Sequence, residues 1–214
     1  MAFSLTYSSL VSALEDYLDR DNTELVARIP TFIQFAETRV ARELRILAFT
    51  RAVTTNLTAG TAIVSKPADW RETISINLGT GTGNNTRNIV LPRTYEYLRS
   101  YASDPTVTGT PKYYADYDRK HWLFAPTPSA PSPIEVVYTA LVQPLDANNQ
   151  TNVLTDYAPD MLLAACLLEA VPYLKADERI PVWQQKYDRC LQAEVIDDIR
   201  NLIDQSINAS ENRG

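Results

Sequence analysis

A chain of 214 residues with 45% hydrophobic and 21% charged side chains has the make-up of an ordinary folded protein and can bury a sizeable core in one or two compact domains, which excludes global disorder. Its formal net charge of −6 argues against a simple nucleic-acid wrapper, because phosphate binding is driven by clustered Lys and Arg. The distribution is uneven: residues 1–50 carry five basic and seven acidic side chains, 51–145 carry nine and seven, and 146–214 carry six and twelve.

The opening MAFSLTYSSL lacks a basic n-region and a long apolar stretch. The longest uninterrupted apolar run, Met161 to Leu168, is far short of the ~20 residues of a membrane-spanning helix. A soluble, cytosolic product with no membrane partner is expected. Cys166 and Cys190 fall in helical segments at no metal-ligand spacing, and read as thiols filling apolar gaps. Asn-x-Ser/Thr triplets at Asn56, Asn84, Asn149 and Asn208 carry no glycosylation meaning without a secretion signal.

In chain order, Leu10, Leu14 and Leu18 mark one face of a first helix over residues 6–19, which Asp21-Asn22 breaks. A second helical stretch begins after Thr23, tolerates Pro30 early in its longer part, and buries Ile33, Ala36, Val40, Leu44 and Leu47. From Arg51 to Leu145 the texture changes to short runs: RAVTTNL, TAIVS, ETISINL, RNIVL, KYYADY, HWLF and IEVVYTAL. These predict strands of an antiparallel β domain. Gly79 to Asn85 reads as a hairpin tip, Pro126 to Pro133 as a rigid crossing that cannot continue a central strand, and Arg93 to Tyr101 as a short interrupting helix.

After a polar linker, Asp156 is the expected cap of a helix that is apolar almost all round over 161–171, with Glu169 needing an Arg or the surface. A last helix is predicted from near Asp177 to about Ser206, with Trp183, Tyr187, Leu191, Val195 and Ile199 as its stripe, and SENRG as a frayed tail. The expected fold class is α+β: a helical bundle formed by the N- and C-terminal helices (1–50 and 146–214) with an inserted antiparallel β domain (51–145) holding one short helix.

Catalytic chemistry finds little support. His121 is the single histidine; with Asp116 and Asp118 it could form a metal or acid–base set, but Asp118-Arg119-Lys120 reads better as a hairpin turn. The glycine run fits neither a dinucleotide nor a phosphate loop, and no G-x-S-x-G elbow exists. No catalytic residue, metal or cofactor is expected. Two surface sets remain as candidates. Phe35, Arg39, Arg42 and Arg45 project away from the second helix's apolar stripe, an aromatic–arginine composition typical of interfaces, though the arginines can also pair with Glu37 and Glu43. Glu194, Asp197 and Asp204 form an acidic set on the last helix, either a solvated face or a wall that repels DNA phosphates.

Four stretches stand out together: TELVARIPTFIQFAETRVARELRI, Lys66-Pro67-Ala68-Asp69-Trp70, TGTPKYYADYDRKHWLFAPTPSAPSPIEVVYTAL and LTDYAPDMLLAACLLEAVPYLKADERIPVWQQKYDR. In their order and spacing they resemble bacteriophage head-to-tail adaptor proteins, grouped with the adaptor of phage SU10 and the tail tubular proteins of T7-like phages, with Lys66 departing from the usual apolar residue. The resemblance implies a non-enzymatic virion protein made in the host cytoplasm. It implies a ring, usually a dodecamer, between the portal protein and the tail nozzle or fibre proteins, through which packaged DNA passes without specific binding. On that reading the Phe35 set is a subunit or portal interface and the Glu194 set faces the channel. The alternative is a carbohydrate- or receptor-binding module of a phage tail, drawing on the tyrosines, Trp70 and Trp122. An enzyme acting on cell wall or nucleic acid is the third class.

Overall fold

The computed structural model describes residues 5–18, 23–44, 47–79, 87–104, 106–174 and 177–211. The chain is mixed α+β and divides into two compact units, Met1–Phe49 with Val142–Gly214, and Thr50–Leu141.

In the first unit, α1 (Tyr7–Leu18) buries Leu10, Leu14 and Leu18, spaced four apart so that each lies over the last. Thr6 and Ser9 cap it reciprocally, the Ser9 amide donating to Thr6 Oγ1 at 3.1 Å and the Thr6 amide to Ser9 Oγ at 2.8 Å. After the single turn α2 (Thr23–Val26) comes α3 (Ile29–Glu43), with Pro30 in its first turn where a missing N–H costs nothing. Its Ile33, Ala36 and Val40 are buried as the pattern predicts, together with Phe32 and, against expectation, Glu37. Leu44 is buried too, while the Leu47 side chain lies outside the described residues.

The chain re-enters this unit through α5 (Val153–Tyr157) and α6 (Pro159–Leu174). Asn152, not Asp156, is the cap. Its side-chain oxygen accepts from the amides of Leu154 and Thr155 at 2.9 and 3.2 Å, and Thr155 Oγ1 accepts the Asn152 amide at 2.8 Å. Asp156 is left inside α5 because the cap falls four residues earlier than the apolar run suggests. Along α6, Met161, Leu162, Ala164 to Leu168, Ala170 and Val171 are all buried. Helices α1, α3 and α7 (Ile180–Glu211) each pack on α6. A 3₁₀ turn at Asp177–Arg179 precedes α7, so the last helix begins three residues later than predicted, with Pro181 in its first turn.

The second unit holds β1 (Thr50–Leu57), β2 (Ile63–Ser65), β3 (Trp70–Leu78), β4 (Asn88–Pro92), α4 (Tyr95–Tyr101), β5 (Thr108–Gly109), β6 (Tyr113–Asp116), β7 (His121–Ala125), β8 (Thr127–Pro128) and β9 (Ser132–Ala140). The seven long strands form one sheet in the order β1-β9-β3-β4-β6-β7-β2, and β5 pairs with β8. Every predicted run became a strand. The purely antiparallel expectation is corrected: β4 pairs with β6 in parallel, as does β5 with β8. The physical reason is α4, which carries the chain from β4 to the start of β6 as a crossover, and a crossover returns the next strand in the same direction.

Register shifts between Trp70/Glu72 and Thr73/Ser75 mark two bulges that bend β3 against β9. At the end of β3, Gly79 takes a φ of +84°, open to glycine but costly for other residues, and its amide donates to Pro133 O at 2.7 Å. The rest of the glycine run, 80–85, lies outside the described residues, as does residue 86. The proline crossing is shorter than expected, because β9 already starts at Ser132 and Pro133 occupies its second position opposite Asn56. A proline is tolerated at the mouth of a strand, where few ladder bonds are lost.

One face of the sheet buries Leu57, Ile76, Val90, Tyr114, Trp122, Phe124, Ile134, Val136 and Tyr138. The other face of β6 and β7 buries Ala115, Leu123 and Ala125 under Leu98 of α4. Both faces of this hairpin are therefore covered, which is why Trp122 to Ala125 is an unbroken apolar run rather than an alternating one.

Candidate assembly surfaces

On α3, Phe35 is 57% exposed and Arg42 is exposed with no partner among the described residues. Arg39 is not free. Its Nη2 and Nε meet Glu169 Oε1 of α6 at 2.6 and 2.8 Å, half-buried on both sides, so it supplies the cation that Glu169 required. Arg45 lies outside the described residues. Among the described residues, neither acid named as a possible arginine partner pairs with an arginine. Glu37 is only 5% exposed, and its Oε1 accepts from the Leu145 amide at 3.0 Å and Asn152 Nδ2 at 2.7 Å. Burial raises its carboxyl above the ordinary value, with those two bonds opposing the rise. Glu43 Oε2 accepts the Tyr187 hydroxyl at 2.8 Å; burial and that carboxylate push the Tyr187 phenol up.

On α7 the acidic set is divided. Glu194 is half-buried, and its carboxyl is raised by burial, then by the nearby charges of Asp160 and Asp197. Asp160 Oδ2 also accepts the Cys190 thiol at 3.1 Å; burial first, then this bond, pushes Cys190 up to about 11. Asp197 is exposed and meets Arg200 at 3.4 Å. The Asp204 side chain lies outside the described residues.

The predicted α7 stripe packs only at its start. Tyr187 is buried and Trp183 and Leu191 partly so, whereas Val195, Ile196, Ile199 and Ile203 are exposed. Helical geometry explains this: four residues advance about 40° past a full turn, so a strict i+4 row rotates by about 160° between Trp183 and Ile199. A row that begins against α6 ends on the opposite side of its own helix.

A third surface escaped the sequence reading. Around α4, Tyr95, Tyr97, Tyr101 and Tyr117 are each about two-fifths exposed. Tyr97 and Tyr101 stack at 6.0 Å with their planes 11° apart, and both meet Tyr113 edge-on at 5.5 and 4.9 Å. The Arg93 guanidinium lies 5.8 Å from the Tyr97 ring and 5.5 Å from Tyr113, and Arg99 lies 5.1 Å from Tyr95. The available signal was the tyrosine density of RTYEYLRSY together with KYYADY.

The His121 constellation is split between two structural tasks. His121 Nδ1 meets Asp118 Oδ2 at 2.8 Å across the hairpin turn, which holds the Asp118 carboxyl below its usual value. Asp116 instead pairs with Lys66 Nζ at 2.6 Å. That ammonium is buried, 3.5 Å over the Trp70 ring, and donates to Asp118 O at 3.0 Å. The unusual lysine is thus accommodated by an indole face and a carboxylate. Trp122 is fully buried, and both Trp70 and Trp122 donate their indole N–H to Thr73 Oγ1, at 3.0 and 2.9 Å. Neither indole is a free stacking platform. Among the described residues, no group of three His, Cys, Asp or Glu side chains is placed to hold a metal ion, and no helix is long and apolar enough to cross a membrane.

Two helix-rich and strand-rich units bearing bare aromatic, aliphatic and arginine surfaces are the features of a protein built for contact with other proteins. The family described as SU10 adaptor protein matches residues 5–210, and the chain belongs to it. This is the family its sequence stretches resemble, a family of structural phage adaptors. No curated protein matches the chain.

Proposed function

We propose that this protein is a head-to-tail adaptor subunit of a phage virion. It binds below the portal ring, links that ring to the tail nozzle and surrounds the DNA channel as a ring of copies, a dodecamer in the form the family resemblance implies. The observation that carries this reading is the adaptor-family match, which extends over residues 5–210 and so through both units. In this reading residues 1–50 and 146–214 act as a helical bundle and 51–145 as its inserted β domain. Phe35 and Arg42 supply a subunit or portal contact, with Arg39 bracing α3 from within through Glu169. Asp197 and Asp204, with a smaller share from half-buried Glu194, present negative charge to the channel so that DNA passes without adhering.

The test is mass photometry of the purified chain with portal rings from the same source. Saturable addition of a fixed number of copies supports the reading, and folded protein that adds nothing refutes it. Arg42→Glu is expected to weaken addition. Normal DNA retention and ejection after charge reversal at Asp197 and Asp204 would remove the channel assignment.

A further inference from the structure

Two surfaces of this chain are left bare and differ in chemistry. One is the tyrosine–arginine face around α4. The ring faces a sugar would stack on are largely occupied there, by neighbouring tyrosines and by Arg93. Tyr95, Tyr97 and Tyr101 keep about two-fifths of their surface exposed beside the guanidinium groups of Arg93 and Arg99. Arg93 donates only to Pro92 O and Arg99 to the Tyr95 hydroxyl, so neither guanidinium has a carboxylate among the described residues. Leu91, exposed and in register with Tyr113, adds aliphatic area beside them. Tyrosines already ordered by their neighbours lose little entropy on binding, and Tyr and Arg are the residues that dominate protein interfaces.

The other surface is the outward row of α7. Val195, Ile196, Ile199 and Ile203 are 37–51% exposed at i, i+1, i+4 and i+8, which is one helix face and the pattern of a helix laid on a partner. It sits in the acidic third, where residues 146–214 hold twelve acidic against six basic side chains, with Asp188 on the row's own side of the helix, two turns before Val195. The tyrosine–arginine face sits in the only third with a basic excess, nine against seven.

We propose that the outward row of α7 in one copy seats on the tyrosine–arginine face around α4 of the next copy, joining copies head to tail. Arg93 and Arg99 face the acidic Asp188 end of the row, while the tyrosines and Leu91 cover its isoleucines. Because each copy offers both surfaces and they are different, the contact is heterologous and repeats from copy to copy. This rests on the adaptor reading, which requires such a repeating contact.

Two full-length variants test it: Arg93→Glu with Arg99→Glu, and Ile196→Asp with Ile199→Asp. Ile196→Ser with Ile199→Ser replaces the latter if the aspartates lower the unfolding midpoint. Self-association is read by sedimentation velocity, and assembly on isolated portal rings by mass photometry. Each variant alone is expected to assemble about tenfold or more weakly than wild type, the loss typical of central interface residues. The two variants mixed retain one intact contact between them, so they form a 1:1 pair of twice the 24.0 kDa chain mass and nothing larger. Wild type and variants assembling equally, or a mixture that stays monomeric, overturns the contact while leaving the adaptor reading standing. Wild type that neither self-associates nor adds to portal rings overturns both.

Discussion

Replacing Glu37 by alanine removes the one acceptor shared by two buried donors, the Leu145 amide and Asn152 Nδ2. The Leu145 amide is left unsatisfied, at about 1–3 kcal/mol, while Asn152 Nδ2 loses one bond but keeps its other, to Gln143 O at 2.9 Å, so Glu37→Ala is expected to destabilise the first unit by about 2–4 kcal/mol. At ~2–4 °C per kcal/mol for a chain of this size, that is a fall of roughly 5–15 °C in unfolding midpoint. Glu37→Gln keeps an oxygen for both donors and removes the buried charge, so it isolates the cost of ionisation. The folded carboxyl is raised by burial from its ordinary 4.5. A raised carboxyl contributes stability that is complete below the unfolded value and is lost as pH rises through the folded value. Wild type should therefore lose ground to Glu37→Gln as pH climbs from 4 through that window, and the gap should level off above it. Urea titrations of both variants at pH 4, 5, 6 and 8 measure this. An alanine variant within about 0.5 kcal/mol of wild type would refute the buried clamp, and a Gln-to-wild-type gap that does not change with pH would refute the raised carboxyl.

Lys66→Met, which restores an apolar residue over Trp70, is expected to stay within about 1 kcal/mol of wild type because Asp116 can return to water, whereas Lys66→Ala opens a void and costs about 2 kcal/mol or more; chemical denaturation of the pair checks this. A double-mutant cycle on Arg39 and Glu169 should return a coupling of about 0.5–1.5 kcal/mol, more than an exposed pair gives, since both ends are partly buried and two donors meet one oxygen. Burial raises both thiols, Cys190 to about 11 and Cys166 well above its ordinary value. At pH 8 both therefore stay protonated, and iodoacetamide should modify the folded chain at least about a hundredfold more slowly than the urea-unfolded one; either thiol reacting at the unfolded rate sinks the assignment.

Much of the local structure was legible because it depends on periodicity. Strands β1 to β4, β6, β7 and β9 follow from alternation or short apolar runs between turn residues, and the Ile33, Ala36, Val40 face follows from three-and-four spacing. The need of Glu169 for an arginine or the surface was also legible, since an unpaired buried carboxylate is costly, but only packing decided between the two and named Arg39. Asn152 outcompeted Asp156 as a cap because capping is decided by which backbone amides are reachable, not by proximity to the apolar run. The isoleucine row of α7 was misjudged because a stripe drawn at constant i+4 spacing is not a straight line on a helix.

The assembly surfaces divide the same way. Exposure of Phe35 and Arg42 could be read from their position opposite the buried face of α3, but the capture of Arg39 by α6 could not. The tyrosine–arginine face depends on α4 lying beside β6, a neighbourhood made by the parallel β4–β6 pairing rather than by adjacency in the chain. By itself, the sequence determined the α+β class, the order of elements and the adaptor family, because these are carried by patterns local along the chain. Tertiary structure decided which charges are consumed internally, that Glu37 is buried, and which aromatic and aliphatic rows remain bare, because each of these is settled by side chains that arrive from distant segments.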